Sequence, residues 1–281
     1  MRRQPRTLRL GALVLAILTG FGAAGWMGVA PREALTAEDP LRPPPVPPRL
    51  ADGPAFERCA GLLRQDPEAA LAYAERWATE EGGAGGGEGA RHCHALALLG
   101  LGESAQAAQR LETLAGQSSA AGPTRAAVFA QATQAWLLAG ETNRAFAAAT
   151  LALSLAPEDP DLLIDRAVVL GTMQRYGEAI EDLDRALTLD PTRTEALVFR
   201  AAAHRHRGER TLAARDIGLA LSLQAGNVEA LLERGIIRQM QGDAAGARSD
   251  WETAIRLAPD SPAADLAAQN LALNEARPIR R

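Results

Sequence analysis

A step of 34 residues, kept without insertion, constrains this chain more than any other feature. Ala179, Ala213 and Ala247 follow it, as do Ala186, Ala220 and Ala254, then Leu189, Leu223 and Leu257, then Leu163, Leu197 and Leu231. One step back lie Ala145, Ala152 and Leu155, so contiguous units begin at Ala126, Pro160, Thr194 and Val228 and end near Ser261. Each unit holds two apolar patterns at i, i+3/i+4 spacing, shown in the second by Leu162, Ile164, Ala167, Val168 and Leu170, then Ala179, Ile180, Leu183, Ala186 and Leu187. One such helical pair cannot bury its apolar face alone, so the units must stack. The spacing predicts an all-α chain with no strands.

Punctuation agrees with that period. Gly140-Glu141, Gly208-Glu209 and Gly242-Asp243 end the first helix in three units, while the second breaks near Gln174-Arg175. Asp159, Asn227 and Ser261 stand where a capping side chain precedes a first turn. A length of 34, a Gly-acid turn, alanines five and twelve residues beyond that glycine, and Pro157, Pro191 and Pro259 near unit ends together resemble the tetratricopeptide repeat (TPR). Ala225 departs from the pattern where the other units have Pro. The resemblance implies a right-handed superhelical solenoid of antiparallel helix pairs, with units at 126–159, 160–193, 194–227 and 228–261. Two degenerate units fill 51–125. One starts near Glu88, with about four extra residues before Ala126, and one starts near Ala51. Residues 262–277 form a capping helix whose Asp265, Gln269 and Glu275 would wet its outer side.

One polar pattern runs through the repeats. Arg166, Arg200 and Arg234 hold the seventh position of the last three units, and Asp182, Asp216 and Asp250 the twenty-third. In a helix pair turning near position fifteen the two positions are equally far from the turn, so guanidinium and carboxylate can face each other. In the first full unit both are replaced together, by Ala132 and Ala148. The pairs are read as structural devices; the alternative is an anion site on the arginines.

By the TPR resemblance, the first helices line an inner face that holds an extended peptide or a partner helix. Asp161, Glu195 and Glu229 fall there at the second position, Asp165, Phe199 and Glu233 at the sixth, and Gln134, Arg205 and Gln239 further along. This face leans acidic and suits a basic or neutral partner segment, although acids at a helix start are also favoured by the dipole alone. His204-Arg205-His206-Arg207 is the densest basic cluster of the repeats, readable as a phosphate or acidic-lipid contact or as helix-end charge.

At the amino terminus, four arginines in residues 1–9 precede an uncharged, largely apolar stretch over 10–30. That layout predicts export, by a cleaved signal peptide or by an uncleaved anchor in the inner membrane. Residues 31–50 form a linker, proline-rich from Asp39 to Leu50. No lysine occurs, which suggests a G+C-rich bacterial source, and export in such a source leads to the periplasm. In such an oxidising compartment Cys59 and Cys93 are expected to be bonded; otherwise they are two buried thiols. His92 and His94 point to opposite sides of a helix and cannot chelate one ion, so no metal is expected.

Composition narrows the function. The net charge of −4 falls to −8 without residues 1–30, which disfavours nucleic acid as partner. No phosphate loop, GxSxG or HExxH occurs, and little chain remains outside signal, linker and repeats to hold a catalytic domain. The expectation is a non-catalytic envelope scaffold without cofactors that binds a protein or peptide. The alternative is an accessory subunit that presents substrate to an envelope enzyme or assembly complex.

Overall fold

The structure, a computed structural model, describes residues 50–80 and 87–275. Residues 1–30, expected to direct export, most of the proline-rich linker and the last residues of the chain lie outside the described residues. Among those described there are thirteen α-helices and no strand. No described helix is long and apolar enough to cross a membrane. The helices group into two compact units that part between Glu141 and Thr142.

The first unit contains α1 (Pro54–Gln65), α2 (Pro67–Glu80), α3 (Glu88–Gly100), α4 (Ser104–Gln117) and α5 (Gly122–Leu138). Asp66 alone joins α1 to α2 and caps the second helix, its Oδ1 accepting from Ala69 N at 3.0 Å. Cys59 and Cys93 are bonded, with Cα atoms 6.1 Å apart, inside a core that includes Leu63, Ala74, Trp77 and Leu96. Gly89 opens α3 because a Cβ there would lie 2.7 Å from both Ala51 and Trp77. The four extra residues ahead of Ala126 are helical. They lengthen α5 at its start rather than forming a loop.

The second unit contains α6 (Thr142–Leu155), α7 (Pro160–Thr172), α8 (Tyr176–Leu189), α9 (Thr194–His206), α10 (Arg210–Leu223), α11 (Val228–Gln241), α12 (Ala244–Leu257) and α13 (Pro262–Glu275). Asp159 caps α7 by accepting from Asp161 N at 2.9 Å, and Asn227 caps α11 by accepting from Ala230 N at 2.8 Å. Gly208 and Gly242 take the left-handed conformation that ends α9 and α11. Gln174 adopts the same conformation with φ 60° after α7, where its Cβ is disfavoured. The turn geometry is therefore held by the repeat rather than by glycine.

The recurring alanines are the close-packing points: Ala179, Ala213, Ala247, Ala186, Ala220 and Ala254 are almost wholly buried. By contrast Leu189, Leu223 and Leu257 recur at half-exposed helix ends. Gly235 and Trp251 form a small–large pair, since a Cβ at Gly235 would overlap the indole ring. The preceding repeats place Ala201 with Ile217 and Ala167 with Leu183 at the same positions, trading volume between partners. The last helix, α13, buries Ala263, Ala264 and Ala267 and exposes Asp265 and Gln269. It also exposes Leu266 and Leu273, so its outer side is less polar than the sequence suggested.

Candidate partner-binding face

Within the second unit, each second helix packs on the next first helix, and α7, α9, α11 and α13 also pack on one another in sequence. The first helices thus form a continuous row. Carboxylate–guanidinium pairs tie each of three repeats together behind it. Arg166 Nε and Nη2 donate to Asp182 at 2.7 Å each. Arg200 grips Asp216 in the same way and extends Nη1 to Asp184 of the preceding repeat at 2.7 Å. Arg234 donates to Asp250 at 2.9 and 2.7 Å, and Arg238 Nη1 adds a third bond at 2.8 Å. Asp182, Asp216 and Asp250 are all buried, so their charges depend on these bonds.

Arg205 and Glu233 meet each other across α9 and α11, with Nε to Oε1 at 2.5 Å and Nη2 to Oε2 at 3.3 Å. Glu233 is buried. This pair braces one first helix to the next, and neither residue is left to greet a partner. The rest of the basic cluster is also engaged. His204 Nδ1 lies 2.6 Å from Glu209, Arg207 Nε donates to Glu209 at 3.0 Å, and the His206 ring stacks on Tyr176 at 4.7 Å. The bond from His204 holds the Glu209 carboxyl below its usual range.

The open part of the row is acidic around an aromatic ring. Asp161, Glu195 and Glu229 are exposed at the second residue of α7, α9 and α11, with Arg193 paired to Asp161. Phe199, half-buried, lies one turn beyond Glu195 on the same helix face, and Asp165 takes the matching place on α7. Packing around the carboxyl pushes Glu195 above its usual range by desolvation; Arg193 opposes that, and Glu229 adds a smaller push upward. Glu195 and Glu229 stand at matching places on neighbouring first helices, with the Phe199 ring one turn beyond Glu195.

Solved structures share the helical fold. A chain of the APC/C hetero-tetramer Cut9–Hcn1 is similar over 77% of this chain and 42% of its own length, at 17% identity and a TM-score of 0.57. A double mutant of MamA is similar over 60% of this chain and 93% of its own, at 16% identity and a TM-score of 0.51. The chain has the tetratricopeptide-repeat fold. At these identities the likeness is one of fold alone. Neither a family model nor a curated protein matches the sequence.

Seen as TPR units, the sequence-derived residues fall into three groups. Arg166, Asp182, Arg200, Asp216, Arg234 and Asp250 lie between the two helices of their own repeats. Arg205 and Glu233 lie between repeats. Asp161, Asp165, Glu195, Phe199 and Glu229 remain on the first-helix row. The Arg205–Glu233 brace escaped the sequence reading because it joins residues 28 apart in adjacent units, which a search for pairs within one unit does not visit. Among the described residues no group of three His, Cys, Asp or Glu could hold a metal ion.

Proposed function

We propose that this TPR protein binds an extended, basic or neutral segment of a protein partner along the first helices of residues 160–261, and does so without chemistry of its own. The observation that carries this reading is the row of carboxylates at Asp161, Glu195 and Glu229, exposed at the start of α7, α9 and α11, beside the half-buried Phe199 ring. Carboxylates supply steering and register, and the ring supplies apolar area. Arg205 and Glu233 serve the same face indirectly, by fixing the spacing of α9 and α11.

The proposed setting is the bacterial envelope, with the chain exported through residues 1–30. The Cys59–Cys93 bond supports an oxidising compartment. A photo-crosslinking residue placed at Phe199 in the full chain, expressed in its native host, tests the face directly. Capture of a partner from Phe199 but not from Leu219, exposed on the second helix α10, is the expected outcome. Equal capture from both, or capture from Leu219 alone, would move binding away from the first helices.

A further inference from the structure

The repeat that begins at α3 departs at three positions from the pattern of the repeats at 160–261, and a cavity of about 650 Å³ opens where it does so. The seventh residues of α7 and α8 are Arg166 and Asp182, bonded to each other; the seventh residues of α3 and α4 are His94 and Arg110. The buried carboxylate of the later repeats is thus replaced by a guanidinium. At the fourth residue of α7, α9 and α11 stand the buried leucines Leu163, Leu197 and Leu231; α3 has Arg91. Leu there would serve the core, and Asp at 110 would extend the ladder. This repeat has neither.

Arg91, His94 and Arg110 all line the cavity, with Ala90 and Leu114 supplying apolar wall. Arg91 Nε and His94 Nδ1 are buried and make no hydrogen bond within the protein, which is costly for atoms of this kind. Glu75, also in the wall, is the ninth residue of α2, as Asp184 is of α8. Its charge offsets one guanidinium and leaves a net charge of about +1 toward the cavity. Desolvation and Arg110 both lower the His94 pKa, so the imidazole is neutral at pH 7 and adds hydrogen-bonding capacity rather than charge.

We infer that this cavity is a binding site for a small organic monocarboxylate, whose carboxylate takes the role that Asp182, Asp216 and Asp250 play in the later repeats while its apolar part lies against Ala90 and Leu114. The volume lies within the range of small-molecule sites, and the guanidinium groups in its wall suit a planar carboxylate. The site uses none of the residues of the partner-binding face.

Titration calorimetry on the full chain with sodium benzoate and sodium hexanoate tests the inference, with benzamide and inorganic phosphate as comparisons. One saturable carboxylate site is expected, at least about tenfold tighter than for benzamide or phosphate. Arg110→Gln and Arg91→Gln should each weaken it about tenfold or more. Arg110→Asp, which places a protein carboxylate in the site, should abolish uptake with thermal melting unchanged or raised. No saturable uptake of either carboxylate, uptake indifferent to Arg110→Gln, or tighter binding of benzamide or phosphate would each overturn it.

Discussion

Arg200 spends both edges of its guanidinium: Nε and Nη2 hold Asp216 of its own repeat, while Nη1 reaches Asp184 of the repeat before, every bond at 2.7 Å. The two ends of that arrangement are unequal. Asp216 is buried and loses its two guanidinium bonds if Arg200 goes, whereas Arg200 is partly exposed and keeps Asp184 if Asp216 goes. Arg200→Ala should therefore destabilise by about 2–3 kcal/mol, more than Asp216→Ala and more than the double variant Arg200→Ala/Asp216→Ala. Urea unfolding of the three variants measures this order. A double variant whose loss equals the sum of the two single losses would show that the pair is not coupled.

The Gly235–Trp251 contact predicts a rescue. Gly235→Ala drives a methyl into the indole and should cost about 2–4 kcal/mol. Adding Trp251→Leu should recover at least half of that loss, because Ala167 with Leu183 already packs in an earlier repeat. Melting temperatures of the single and double variants decide the matter; additive losses would contradict the volume trade.

His92 makes the first compact unit sensitive to acid. The ring is buried, stacks on Phe56 at 5.7 Å and bonds Gln131 through Nε2 at 2.6 Å. Burial lowers its pKa below 6.5, and the Gln131 bond offsets only part of that. A histidine with a lowered folded pKa is neutral in the native state, so the unfolded chain takes up the proton first. Stability is then full above pH 6.5 and falls as the pH drops toward the folded value. His94 and His206 are shifted in the same direction, so His92→Gln should shrink the slope without removing it. Urea midpoints between pH 7.5 and pH 5, taken as roughly the range of histidine titration, report this. An unchanged slope would contradict it.

The Cys59–Cys93 bond closes a span of 34 residues. On the chain-entropy account it contributes about 3–4 kcal/mol. Reduction should lower the stability of residues 50–141 by that amount and leave α7 to α12 unchanged. Hydrogen exchange with and without reductant separates the two units; equal loss of protection in both would show that the bond acts beyond its own unit.

Much of this fold could be read from spacing. The alanine registers give α7 to α12, and Gly208 and Gly242 mark two of the turns, because steric demands at close-packed and left-handed positions leave few residue choices. Gln174 did not announce its left-handed turn, since there the neighbouring helices impose the geometry on a residue that does not favour it. The intrarepeat pairs were legible because both partners share a register, as with Arg166 and Asp182. Arg205 with Glu233 was not, because it depends on how far one first helix is offset from the next. Leu273 on α13, exposed where polar residues were expected, depends on helix rotation that a short alanine-rich pattern fixes poorly.

If the first-helix row binds basic or neutral segments beside Phe199 as proposed, selection of a random peptide library against the full chain shows it most directly, the basic end of that range being favoured. Enriched peptides should carry Lys or Arg next to an apolar residue, and Glu195→Gln/Glu229→Gln should weaken them about tenfold or more while the unfolding midpoint is kept. Enrichment of acidic peptides, or basic peptides bound equally well by the variant, would contradict it.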